Sequence, residues 1–149
     1  ERCNHTKWSV LRYPNDAMAQ LAGVSTEEYE DFYFRACSLS VSCQDLASMG
    51  MVLANHGRLP HSEQSLFPAQ YANYVNAILM TCGMYDGSGD FAIRVGIPAK
   101  SGVGGGIMAV VPTQMGIGIF SPGLDQKGNS LAGIQLLERL SNRLYLSIF

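Results

Sequence analysis

The feature that most narrows what this chain can fold into is a change of hydrophobic period near residue 90. Before it, apolar residues recur at helical spacing in three stretches. After it come two short apolar runs around a turn, and then one last helical stretch. Ser25, with Glu28 three residues on, forms a capping-box signature for a helix whose apolar face is Tyr29, Phe32, Tyr33, Ala36 and Cys37. Ser42 and Asp45 repeat the signal for a second helix, lined by Cys43, Leu46, Ala47, Gly50, Leu53 and Ala54, with Gly57 as its left-handed stop. Pro68 suits the first position of a third helix with Tyr71, Tyr74, Val75, Ile78, Leu79 and Cys82 inward and Gly83 at its end. The cluster Asp86 to Asp90 reads as a turn, Phe91 to Val95 as a weakly alternating segment and Ile97 to Ser101 as extended. Ile107 to Val111 and Met115 to Phe120, joined by Pro112-Thr113-Gln114, predict a hairpin. Asn129 or Ser130 caps a final helix with Leu131, Ile134, Leu137, Leu140 and Leu144 inward. Helices, then antiparallel strands, then a closing helix predict an α+β domain with an antiparallel sheet packed against helices.

Composition excludes several classes. At 149 residues the chain fits one domain with a real core. Hydrophobic residues at 47% against 15% charged are the reverse of a disordered composition. A net charge of −2 offers no basic excess for nucleic acid. No apolar stretch is long enough to span a bilayer, so no membrane partner is expected. The start, Glu1-Arg2-Cys3-Asn4-His5, has neither a signal-peptide core nor an initiator Met, so the numbering is expected to begin inside a longer gene product. Cys3, Cys37, Cys43 and Cys82 are scattered. The last three fall in apolar helical contexts, where burial as small hydrophobes is expected, and the cytoplasm is the expected compartment. His5, His56 and His61 lack metal-ligand spacing, and neither metal nor cofactor is expected. His56, near a predicted helix C-terminus, suits the dipole there.

Lys100-Ser101-Gly102-Val103-Gly104-Gly105-Gly106 carries most of the chemical information. As a dinucleotide fingerprint it fails, because Ile107 stands where the third glycine belongs and a strand-like run, not a helix, follows. A plain glycine-rich bend between strands is one reading. The other is that Lys-Ser-Gly resembles the Lys-Thr-Gly strand of β-lactamases and penicillin-binding proteins, placed as there before late strands and a last helix.

Four further stretches sharpen the resemblance. Asp31-Phe32-Tyr33-Phe34-Arg35-Ala36-Cys37-Ser38 resembles the D-F-Y-F/L-x-x-C-S helix of serine-dependent glutaminases. Cys82-Gly83-Met84-Tyr85-Asp86, followed by Ser88-Gly89, is similar to their C-G-M-Y-D-x-S-G turn. Gly96-Ile97-Pro98-Ala99-Lys100-Ser101-Gly102-Val103 resembles G-x-P-A-K-S-G-V. Ser121 to Ser130 resembles S-P-P-L-D-x-x-G-N-S, with Gly123 in place of the second proline. The likeness runs from about Thr26 to Leu140, and it implies the β-lactamase-like fold, with residues 1–149 as the C-terminal portion of a single domain.

The resemblance also implies an activity: hydrolysis of L-glutamine to L-glutamate and ammonia through a γ-glutamyl-serine intermediate. Tyr85 matches an active-site tyrosine that passes the nucleophile's proton, and Lys100 is the local cation that would stabilise its phenolate. Val103 matches a position whose main chain contacts substrate and holds the developing oxyanion. Tyr33 matches a substrate-binding tyrosine. Ser101 either reaches the substrate carboxylate or satisfies a neighbouring backbone group. Asp125, Gly128 and Asn129 shape the turn into the last helix. Glu1 matches a glutamate that pairs with the substrate α-amino group. Seven residues on, where the family has asparagine in R-N-x-A, this chain has Trp8, between Lys7 and Ser9.

No Ser-x-x-Lys, the family's nucleophile element, occurs in these 149 residues. The nucleophile is therefore expected in an N-terminal portion outside this chain, and the chain alone is expected to be inactive. The alternative is a non-catalytic or truncated relative with a binding or assembly role, which Trp8 favours. A β-lactamase or peptidase would need a Ser-x-N element that Tyr85-Asp86-Gly87 does not supply. The apolar end from Leu144 to Phe149 suggests contact with another copy, a homo-oligomer.

Overall fold

The structure is a computed structural model and describes residues 14–62 and 64–149. It falls into two compact units, Glu1–Ser40 and Val41–Phe149. In the first, α1 (Asp16–Ala22) is capped by the Asn15 side chain and stopped by left-handed Gly23. Ser25 and Glu28 then form the full reciprocal capping box of α2 (Thr26–Cys37). The Thr26 hydroxyl donates to Asp16, tying the two helix starts together, and Ala19 is buried. The predicted apolar face of α2 is not buried: the helix has no buried residue, and Phe32 is 72% exposed.

The second unit holds α3 (Cys43–Ala54), α4 (Ala69–Cys82), a 3₁₀ turn (Tyr85–Gly87), α5 (Ser88–Arg94), strands β1 (Ala99–Ser101), β2 (Gly106–Val111) and β3 (Met115–Phe120), and α6 (Leu131–Leu144). The Ser42–Asp45 capping box opens α3 as the sequence predicts. Pro68 is the N-cap of α4 and not its first residue, a shift of one position.

The strands form an antiparallel sheet in the order β1-β2-β3, with Ala99 opposite Ala109 and Ile117 opposite Ala109 on the other side. Side chains alternate across it. Ile107, Ala109 and Val111 of β2 join Ala99, Leu137 of α6 and Phe91 of α5 in the main core, with Met115, Ile117 and Ile119 of β3 packed against it. Met108 and Val110 face the other way, onto Ala54 of α3 and Leu79 of α4. The sheet is therefore sandwiched between two helical layers. The M-G-I-G-I pattern of β3 suits this arrangement, since its bulky residues turn to the core and its glycines to α3. A Cβ on Gly116 would overlap the Ala47 carbonyl of α3, and one on Gly118 the Cys43 carbonyl. The helix thus rests almost backbone to backbone on the strand.

Several sequence-based expectations fail here for packing reasons. Ser88 to Arg94 is helical, with Val95 as its C-cap, so the helix begins inside the expected turn cluster and takes in most of the expected alternating segment. Phe91 and Val95, four apart, are 4% and 1% exposed while Ile93 is 87% exposed, which is one helix face and not an alternating strand. Helix α4 buries Ala72 and Leu79, leaving Tyr71, Tyr74 and Ile78 outward. Leu137 is buried as expected in α6, but Leu131 and Leu144 are exposed. Cys37, Cys43 and Cys82 are free and exposed because they sit on outer helix faces. Among the described residues no helix is long and apolar enough to cross a membrane.

Candidate functional site

The end of α4 and the start of β1 are stitched together. Gly83 closes the helix, its carbonyl accepts the Ser101 N–H at 3.0 Å, and a Cβ there would collide with the Ala99 carbonyl. Only glycine lets the strand come this close, and the approach brings the Cys82-to-Ser88 motif beside the Lys100 motif.

Two residues after Gly83 comes Tyr85, whose φ of +51° is in the left-handed region that a residue with a Cβ disfavours. Its side chain is partly exposed. The Lys100 Nζ lies over its ring, 4.5 Å from the centroid, within range of a cation–π contact. Lys100 is the exposed residue of edge strand β1, opposite Met108, and also donates to the Ser101 carbonyl. Partial burial pushes the lysine amine below its ordinary value, against a smaller upward pull from Cys82.

After β1 the chain turns through Gly102 to Gly105, closed by Gly102 N–H to the Gly106 carbonyl and Gly105 N–H to the Gly102 carbonyl, each 2.9 Å. Val103, at the tip, is 70% exposed, and its N–H makes no hydrogen bond among the described residues. Under it runs the Asp125–Asn129 loop. A Cβ on Gly128 would lie 3.9 Å from Val103 Cγ1 and 4.0 Å from Tyr85 Cε2, so these two side chains border a common spot. Asp125 organises the loop, its Oδ1 accepting from the backbone of Lys127 and Asn129. On the flank of this loop is a cleft of about 320 Å³, lined by Gly87, Asp90, Arg94 and Lys127 among others and bridged by the 2.9 Å Lys127–Asp90 pair. Tyr85, Lys100 and Val103 do not line it.

Of the residues singled out from sequence, the structure brings Tyr85, Lys100 and Val103 to one place. Ser101 is not with them: its side chain faces the opposite side of β1, 1% exposed, and its hydroxyl has no hydrogen-bond partner among the described residues. Tyr33 belongs to the first unit, on α2, in edge-to-face contact with Phe34. Glu1 and Trp8 lie outside the described residues. Sequence reasoning missed Ser88, although its place three residues after Tyr85 in the turn motif was a signal. Its hydroxyl accepts from Met84 N–H and donates to the Tyr85 carbonyl. Among the described residues no three His, Cys, Asp or Glu side chains are grouped to hold a metal ion.

Comparison with known proteins follows the same residues. The Glutaminase family model matches residues 11–149. The chain is 57% identical over 123 residues to a glutaminase of Clostridium tetani, covering 83% of this chain and 40% of that protein. It is 53% identical over 140 residues to one of Clostridium botulinum, covering 94% and 46%. Among solved structures, the Bacillus subtilis glutaminase YbgJ in covalent complex with 5-oxo-L-norleucine superposes with a TM-score of 0.81 at 38% identity, over 90% of this chain and 49% of that one. Mglu in its glutamate form gives 0.78 at 39%, over 90% and 31%. The α+β, β-lactamase-like fold is the one these proteins share with the chain. The chain spans less than half the length of the curated relatives it matches.

Proposed function

The chain belongs to the glutaminase family, and from that premise we propose that it supplies the C-terminal portion of a single domain that hydrolyses the side-chain amide of L-glutamine. The nucleophile in this reading is a serine of a Ser-x-x-Lys element, which these 149 residues do not contain. Its oxygen attacks the amide carbon while its proton passes through Tyr85 toward the leaving nitrogen. Ammonia departs, leaving a γ-glutamyl ester, and water attacks that ester to give L-glutamate and the free serine. The Lys100 amine, over the Tyr85 ring, is the cation beside that proton path. In this reading the unpaired N–H of Val103 donates to the tetrahedral oxyanion. Tyr33 and Glu1 take the amino-acid end of the substrate. The Ser101 hydroxyl satisfies no neighbouring backbone group among the described residues, and the residue's main-chain N–H ties β1 to Gly83.

The observation that carries the proposal is the approach of Lys100 to Tyr85, between motifs 15 residues apart that both match the family. The B. subtilis relative's covalent complex, formed with 6-diazo-5-oxo-L-norleucine, supports covalent chemistry on a glutamine-shaped electrophile. The same reading takes the protein as cytoplasmic, as binding neither nucleic acid nor membrane, and as a homo-oligomer. Exposed Leu144, Tyr145, Ile148 and Phe149 support assembly.

Ammonia release from glutamine tests it, measured on the complete natural product of the gene and on this chain alone. Tyr85→Phe is expected to lower kcat by about 10²–10⁴, the range for a proton-transferring group, and the 149-residue chain is expected to release none. Equal release by Tyr85→Phe and wild type overturns the role of Tyr85. Release by the chain alone overturns the externally supplied nucleophile.

A further inference from the structure

We propose that Ser88 and Asn129 are positioning residues for Tyr85, holding the backbone on both sides of it from two places in the chain so that its left-handed conformation presents the ring to Lys100. The inference rests on the catalytic reading of Tyr85 given above.

A left-handed tyrosine persists only where its surroundings hold it there. Here both polar groups of Met84 and the carbonyl of Tyr85 are held. Met84 N–H donates to Ser88 Oγ at 3.1 Å, and the same hydroxyl donates to the Tyr85 carbonyl at 2.9 Å. The Met84 carbonyl accepts from Gly87 N–H at 3.0 Å and from Asn129 Nδ2 at 3.1 Å. Relaxing Tyr85 to the right-handed region would rotate the peptides on either side of it and disturb those bonds.

Both side chains are buried, Ser88 at 6% and Asn129 at 1% exposure, so water competes poorly for their partners. They come from separate places: Ser88 is the first residue of α5, and Asn129 directly precedes the Ser130 cap of α6. Asn129 is itself anchored by its N–H to Asp125 Oδ1 at 2.9 Å and by its carbonyl to Asp125 N–H at 2.8 Å. The loop that lies under the Tyr85 ring therefore also fixes the peptide in front of it. Asparagine suits the position because a carboxylate would aim an oxygen at the Met84 carbonyl and offer it no proton.

Two readouts separate positioning from mere structural support. In the complete gene product, kcat and KM for glutamine are measured for Ser88→Ala, Asn129→Asp, Tyr85→Phe and the two doubles. Each of the first two is expected to lower kcat roughly tenfold or more with KM within about threefold, and to change kcat by less than about threefold once Tyr85 is Phe. In the 149-residue chain, ¹³C-labelled tyrosine NMR reads the Tyr85 ring, identified by its loss in Tyr85→Phe. Its resonance is expected to move on Lys100→Gln in wild type but not in the Ser88→Ala or Asn129→Asp backgrounds, while the other tyrosine signals hold. Equal kcat losses with and without the phenol, or a Lys100-dependent shift surviving in both backgrounds, overturn the inference. Wild-type kcat in Tyr85→Phe instead overturns the catalytic reading itself. That failure is recognised because the Ser88- and Asn129-dependent ring shift persists. Should one variant fail to fold, the other removes an independent hold on the same turn and still decides the matter.

Discussion

Helices α2 and α3 are near twins in sequence logic and opposites in packing. Each is 12 residues long and opens with a complete capping box, Ser25 with Glu28 and Ser42 with Asp45. Yet α2 buries none of its residues, whereas α3 buries Gly50 and Ala54 and lies on the glycine face of β3. A cap is satisfied within four residues of chain and forms wherever those residues occur. Burial needs a partner surface, and only α3 has a strand shaped to receive it within its own compact unit.

The largest effect that would break this comparison lies at the α3–β3 contact. Gly118→Val puts branched carbon against the Cys43 carbonyl. It should destabilise the second unit by about 1–3 kcal/mol or more, as overpacking does, read by denaturant unfolding. An unchanged midpoint would show that the helix does not depend on the close approach.

The caps should sharpen the comparison from the other side, by behaving alike. Ser42→Ala and Ser25→Ala should each cost about 1 kcal/mol, with amide exchange rising in the first turn of the helix concerned. Hydrogen bonds from the serine backbone, and then from its hydroxyl, hold the carboxyls of Glu28 and Asp45 below their usual values. A lowered folded value means that the contribution is complete above the ordinary carboxylate range and is lost as pH falls through the folded value. Both helix starts should therefore fray together in acid, and fraying of only one would mean that the boxes are not equivalent.

The smallest effect is expected on the outer face of α2. Phe32→Ala there should change stability within about 0.5 kcal/mol, as surface changes do. A loss of several times that in the melting curve would reveal that Phe32 is buried in the protein as it works.

The candidate site divides along the same line. The motifs around Tyr85 and Lys100 are legible residue by residue, because a turn with fixed glycines and a strand with a lysine are local patterns. So is the hairpin from Ile107 to Phe120, whose register follows from its short loop. Ser88 and Asn129 were not legible as a pair, since 41 residues separate them and nothing local marks a shared target. Phe91 to Val95 misled for a related reason. Over five residues a helix face and an alternating strand differ only in which of Phe91, Ile93 and Val95 finds a partner.

By itself, then, the sequence determined where the two capping-box helices start, where the hairpin turns and the family, all of which rest on interactions a few bonds long or on motifs that hold their order. Tertiary structure alone decided which apolar faces are covered, that the Ser101 hydroxyl turns inward while Lys100 turns out, and that a lysine amine settles over a left-handed tyrosine. These depend on surfaces meeting across the fold, where close approach at a few glycines decides which side chains share a space.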